Sequence, residues 1–239
     1  MLLSCKKTEY SLVKIEGKQI AITDSIDADE NIKAFIAPYK ESVNKNLTEV
    51  LAYNTKDMIK TDGELNSTIG NMMADIVMEE ANPVFNKRTK NNIDFVLLNY
   101  GGIRAPMPKG EVTRRSAYNI MPFENEIVVL ELSAASVLKM LDYLSIAKTA
   151  HPVSGVKIEF NSTYELTDFT IQGKPLDAKR TYFVATSDYL RNGGDNMLFF
   201  QEALSETPID YKIRNAIIDY FIKADTLNFN MDDRFIRNE

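Results

Sequence analysis

A chain of 239 residues that is 44% hydrophobic and 26% charged is long enough to bury a full core without disulfide or metal staples. Its 28 Lys and Arg against 34 Asp and Glu give a formal net charge of −6. With no basic block, this excludes the electrostatic footprint of a nucleic-acid binder. One cysteine and one histidine exclude an internal disulfide and a multi-histidine metal centre, and no apolar stretch approaches the length of a membrane-spanning helix.

The first residues, Met1-Leu2-Leu3-Ser4-Cys5, resemble the end of a bacterial lipoprotein signal, in which the cysteine becomes the lipidated residue. A full signal has a basic start and an apolar run of roughly 7–15 residues. Here the motif is incomplete, and the alternative is a frayed terminus with a chance cysteine. Cys5 is the candidate lipid anchor. A start at Met1 argues against an internal fragment. Residues 8–24 read as extended segments around a turn at Glu16-Gly17-Lys18. We place a lipoprotein-like start and extended linker at residues 1–26 and one domain at residues 27–239.

Ile32, Phe35, Ile36, Tyr39, Val43 and Leu47 fall at helical spacing, with Pro38 an expected kink. A second helix is predicted from Ser67 to Ala81, its stripe formed by Ile69, Met72, Met73, Ile76 and Val77 and its cap by Asn66 or Ser67. Ile93 to Leu98 is a near-continuous apolar run, as in a strand buried on both faces. Ile127 to Leu132 reads as another strand, followed by a helix capped by Ser133 and carrying Val137, Leu138, Leu141 and Leu144. Further strands are predicted at 156–160, 166–171 and 181–186, the last two joined through Gly173-Lys174-Pro175. A final helix carries Ile213, Ala216, Ile217, Tyr220 and Phe221. Helices and strands mix without strict alternation, so the predicted class is α+β, a mixed multilayer α/β domain.

Three segments put unusual residues at strand ends or entries. In Asn99-Tyr100-Gly101-Gly102-Ile103-Arg104 a buried strand empties into a glycine pair, which lets backbone approach a ligand, and then an arginine able to fork onto an anion. A plain turn explains that segment equally well. In Met121-Pro122-Phe123-Glu124-Asn125-Glu126 a loop aromatic and an amide precede a strand; Phe123 is either core or a stacking surface for a flat ring. In Ser187-Asp188-Tyr189-Leu190-Arg191-Asn192-Gly193-Gly194-Asp195 a strand ends in an aromatic, a glycine pair and an acid. Two loop rings and a carboxylate suit a nucleoside, the rings clamping the base and the acid accepting from ribose hydroxyls.

Taken in this order, the three segments resemble the C-terminal domain of the 5′-nucleotidase family, which includes UDP-sugar hydrolases and cyclic-nucleotide phosphodiesterases. That domain carries Asn-Gly-Gly-Gly-Ile-Arg, then Pro-Phe-Gly-Asn, then Asn-Phe-x-x-x-Gly-Gly-Asp. The resemblance covers roughly residues 27–223, and Glu64 to Asn71 followed by Ala74-Asp75 looks like the family's helix entry. It implies that Asn99 contacts the base and Arg104 the phosphate, that Phe123 and Tyr189 sandwich the base, that Asn125 orients the nucleoside and that Asp195 bonds the ribose. Gly101, Gly102, Gly193 and Gly194 would shape the loops. Tyr189 replaces the usual phenylalanine, Tyr100 the first glycine of the triplet and Glu124 the glycine after Phe123. Some relatives have two phosphate-binding arginines before the Ser67 helix; here Met58 to Glu64 holds no arginine, and Lys60 is the nearest substitute.

The family's catalytic machinery lies in an N-terminal domain with two metal ions held by histidines and aspartates. His151, beside Pro152 in a loop, is read as structural or solvent-facing. No catalytic or metal-ligating residue is therefore expected in this chain, and divalent metals are expected only on a partner domain or chain. The implied partners are a nucleotide or nucleoside, a separate metallophosphoesterase subunit and a lipid anchor, in the bacterial cell envelope. The alternative is an envelope lipoprotein that captures nucleosides without hydrolysis.

Overall fold

The computed structural model describes residues 11–23 and 25–239; Cys5 and the first residues of the predicted extended segment lie outside them. Chain contacts divide the protein into two units, with the boundary between Val43 and Asn44. In the first unit, residues 11–23 form no strand and are exposed. Alternation as at Ile20 and Ile22 becomes a strand only where a neighbour accepts the backbone groups. The helix predicted around Pro38 does form: α1 spans Glu30–Leu47. Asp29 starts it by accepting from the N–H groups of Asn31 (2.8 Å) and Ile32 (3.1 Å).

In the second unit the chain order is β1 (Val50–Asn54), α2 (Thr68–Thr89), β2 (Phe95–Leu97), a 3-10 turn at Tyr100–Gly102, β3 (Gly110–Thr113), α3 (Arg114–Ile120), β4 (Glu126–Ser133) and α4 (Ala134–Ala147). It continues with β5 (Val153–Ser154), β6 (Val156–Phe160), β7 (Leu166–Ile171), β8 (Lys174–Pro175), β9 (Thr181–Ser187), α5 (Asp188–Arg191), β10 (Ser205–Lys212), α6 (Ile213–Ala224), β11 (Thr226–Leu227) and β12 (Phe235–Arg237). The described strands form three mixed sheets, ordered β11-β1-β3, β10-β4-β9-β2-β5 and β12-β6-β7-β8. The architecture is α+β.

The central sheet, β10-β4-β9-β2-β5, explains the apolar runs. Side chains alternate across a strand, and here both faces are covered. From one face, Val96, Ile127, Val129 and Ala185 join Ile69, Met72, Met73, Ile76 and Val77 of α2 and Ile213, Ala216, Ile217 and Phe221 of α6. From the other, Phe95, Leu97, Val128, Leu130, Leu132 and Val184 join Val137, Met140, Leu141 and Leu144 of α4 and Val156, Ile158 and Phe160 of β6. The methionines of α2 are core. Strands β2 and β9 run parallel, while β4 runs antiparallel to β9 from Ile127↔Ser187 to Ser133↔Thr181. The C-terminal ends of β2 and β9 and the entry to β4 therefore lie at one end of the sheet, which brings the three motif loops together.

Two boundaries differ from the sequence reading. Helix α2 does not stop at Ala81 but runs to Thr89 through Pro83, and Lys90 in left-handed conformation closes it by donating to Asn86 O (2.8 Å). Phe85, fully buried on the same face, extends the stripe past the proline, and its packing outweighs one missing backbone donor. Lys174-Pro175 is not a simple connector but pairs as β8 against β7.

A candidate nucleotide-binding cleft

Eight residues from three loops line one cavity of about 260 Å³: Asn99, Gly101, Gly102, Arg104, Phe123, Asn125, Tyr189 and Asp195. Each loop leaves or enters the central sheet, so a rigid scaffold holds all three. Phe123 and Tyr189 are 41% and 45% exposed, so neither ring belongs to the core. Gly193 and Gly194 do not line the cavity but shape its wall. Gly193 has φ of 88°, closed to most side chains. A Cβ at Gly194 would come within 2.4 Å of the Tyr189 ring, so only glycine lets that ring lie against the chain.

The acid is the best-tethered group. Asp195 has φ of 52°. Its Oδ1 accepts from the Tyr189 hydroxyl at 2.9 Å, its Oδ2 from Asn99 Nδ2 at 2.7 Å, and its backbone carbonyl from the Tyr143 hydroxyl at 2.9 Å. The bond to Asp195 raises the Tyr189 phenol above its ordinary value. Burial, followed by the Asp195 charge, does the same at Tyr143. Both therefore remain neutral donors at physiological pH.

Arg104 is exposed. Its guanidinium sits 5.9 Å from the Phe123 ring centroid and donates to Gly101 O at 3.4 Å, a long and weak bond. Among the described residues it has no carboxylate partner within ion-pair distance, and it is the one cation among the lining residues. Lys60 does not line this cavity. Its Nζ donates to Ile103 O at 3.0 Å and lies 4.2 Å from the Tyr100 ring centroid, facing a neighbouring hollow with Lys148.

Besides Tyr143, three residues outside the motifs support the loops. His151 is buried, 5% exposed, which rules out the solvent-facing reading. Its Nδ1 accepts from the Tyr100 N–H at 3.2 Å, so the neutral ring carries its proton on Nε2. Arg214, at the start of α6, donates to Phe123 O at 3.1 Å and pairs with Glu124, which also pairs with Lys212. Those bonds, Lys212 first, hold the Glu124 carboxyl down at about 2. The Glu124 departure from the motif is thus a tether for the Phe123 loop. No spacing in the sequence points to Arg214, which lies 90 residues downstream of Glu124; the motif departure at Glu124 was the one available signal.

The described residues do not fit a two-metal centre. Among the described residues no group of three or more His, Cys, Asp or Glu converges on a common point, and one nitrogen of His151 is already taken by the backbone. What the cleft can do is hold a flat ring against two aromatics, present a carboxylate to hydroxyl donors and offer one guanidinium to an anion.

Comparison with known proteins places the chain in a family. A curated relative, the cell wall protein Lmo0130 of Listeria monocytogenes, is 28% identical over 211 residues, covering 79% of this chain and 26% of its own length. The 5′-nucleotidase of Vibrio vulnificus is 26% identical over 195 residues, covering 77% of this chain and 33% of its own. The chain thus spans about a quarter to a third of these relatives. A 5′-nucleotidase precursor from Thermus thermophilus shares the fold, with a TM-score of 0.72 and 22% identity over 86% of this chain and 43% of that one. The sequence profile of the family described as "5'-nucleotidase, C-terminal domain" matches residues 47–202, a span that contains all three loops, and the chain belongs to that family.

Proposed function

We propose that this chain is the nucleotide-recognition part of a 5′-nucleotidase, acting in nucleotide catabolism with a metallophosphoesterase carried on a separate chain. The convergence of Phe123, Tyr189, Asp195, Asn99, Asn125 and Arg104 on one cleft carries the reading. In it the base stacks between Phe123 and Tyr189, Asn99 and Asn125 bond its polar edges, Asp195 accepts from the ribose and Arg104 meets the phosphate. The partner chain would hold the divalent metals and would supply water activation. The name of the Listeria relative supports a cell-envelope location, and lipidation at Cys5 would anchor the chain there. With manganese, zinc or cobalt and a nucleoside monophosphate, the purified chain should show no chelator-sensitive phosphatase activity, and adding the metallophosphoesterase should restore it. Robust turnover by the chain alone would overturn this division of labour.

The lone guanidinium in the cleft favours a second reading, capture of nucleosides without hydrolysis. Calorimetry separates the two. Phe123→Ala should weaken nucleoside and nucleotide alike, since base–aromatic stacking contributes about 1–3 kcal/mol. Arg104→Ala should weaken the nucleotide alone and nearly erase any preference for it. Equal loss for both ligands on Arg104→Ala would mean that Arg104 shapes the loop and reads no phosphate.

A further inference from the structure

The Asp195 carboxylate is held from two sides, by Tyr189 on Oδ1 and Asn99 on Oδ2. Each carboxylate oxygen has two acceptor positions, so one on each is taken and one on each is left. The two that remain belong to one carboxylate whose orientation is fixed from both sides. That pattern matches two hydroxyls on adjacent carbons: a cis-diol can donate one hydrogen bond to each oxygen. A sugar lacking those hydroxyls leaves both positions unmet, and a site built to bond a hydroxyl discriminates strongly against the analogue without it.

Tyr189 is fixed well enough to impose this. Its ring lies against Gly194, where even a methyl group has no room. Its N–H donates to Asp188 Oδ1 at 2.8 Å. Asp195 is also anchored through its own carbonyl by Tyr143, and the Cβ position of Gly101 is 3.5 Å from Oδ2. The carboxylate can therefore turn little except about its last bond, and the Tyr189 hydroxyl stops that turn. Phenylalanine, the residue of the family motif at this place, would keep the ring and lack the donor.

We propose that the Tyr189 hydroxyl is a positioning group that makes this cleft selective for the 2′,3′-diol of a ribonucleoside over deoxygenated sugars. The proposal rests on the nucleoside reading of the cleft. The carboxylate makes the contact; Tyr189 sets its angle. Stacking by the ring and selection of the sugar are then separable functions of one side chain.

Calorimetry on the full chain tests it, using the tightest binder among adenosine, guanosine, cytidine and uridine, together with its 2′,3′-dideoxy analogue. Wild type should prefer the ribonucleoside. Tyr189→Phe should lose about tenfold in ribonucleoside affinity and keep its dideoxynucleoside affinity within about twofold, with an unchanged melting temperature. Asp195→Asn should likewise narrow the gap between the two sugars. Equal loss for both ligands in Tyr189→Phe would assign the hydroxyl to loop structure. No change, or a gain for the ribonucleoside, would show it idle or competing with the sugar, and any of these overturns the proposal while the nucleoside reading stands. Failure of wild type to bind any of the four ribonucleosides overturns both.

Discussion

Replacing His151 with asparagine is expected to make the fold markedly less sensitive to acid. Burial pushes the His151 imidazole down to about 4 from its ordinary 6.5, against the opposing pull of the Asp195 charge and a backbone bond at Leu98. Between those two values the unfolded chain binds a proton that the folded chain refuses. The stability tied to the neutral ring is therefore complete above pH 6.5 and is lost as pH falls toward 4. Its full extent is about 3 kcal/mol. Denaturant melts at pH 7.5 and pH 4.5 read it directly, since wild type should lose about 2–3 kcal/mol more across that interval than His151→Asn. Asparagine keeps an acceptor for the Tyr100 N–H, so the variant should retain the loop. An equal loss in both proteins would show that carboxylate titration alone governs acid unfolding. The consequence reaches the cleft, because Tyr100 lies between Asn99 and Gly101. Protonating His151 removes the acceptor that holds that loop.

Gly194→Ala should cripple binding although Gly194 itself does not line the cleft. The new methyl would overlap the Tyr189 ring, with Cδ1, Cε1 and Cζ all within 2.6 Å. Ring and backbone cannot both stay, and swinging the ring away also breaks its bond to Asp195. Overpacking of this kind costs about 1–3 kcal/mol, and the displaced ring forfeits a stacking surface of about 1–3 kcal/mol. The expected loss of nucleoside affinity is about 10- to 100-fold, comparable to Tyr189→Ala and larger than Tyr189→Phe. Calorimetry on the three variants gives the order. Gly194 does not have the left-handed backbone of its neighbour Gly193, so the effect is steric rather than conformational. Near-wild-type binding by Gly194→Ala would mean that Tyr189 moves freely and is no fixed wall of the cleft.

The amino-acid sequence by itself determined the local elements and the content of the three loops. Strands β2, β4 and β9 were legible because near-continuous apolar runs leave no solvent face, and α4 and α6 because their stripes repeat every three to four residues. The α2 stripe was legible to Ala81 and no further, since the continuation lies beyond Pro83 and depends on what Phe85 packs against. Strands β1, β3, β5, β10, β11 and β12 left little trace. Strands of two to eight residues with mixed burial take their stability from neighbours rather than from their own pattern.

The cleft divides the same way. Its eight lining residues were all legible as motif residues, since glycine pairs, loop aromatics and acids at strand ends are local features. Only the tertiary structure decided how they are held. Tyr189, Asn99 and Tyr143 converge on Asp195, Arg214 and Lys212 tie down Glu124, and His151 holds the backbone at Tyr100. Each is a hydrogen bond between groups distant in sequence, except Tyr189 with Asp195. No periodicity encodes such a bond, because its partner is chosen by where the sheet brings the chain back.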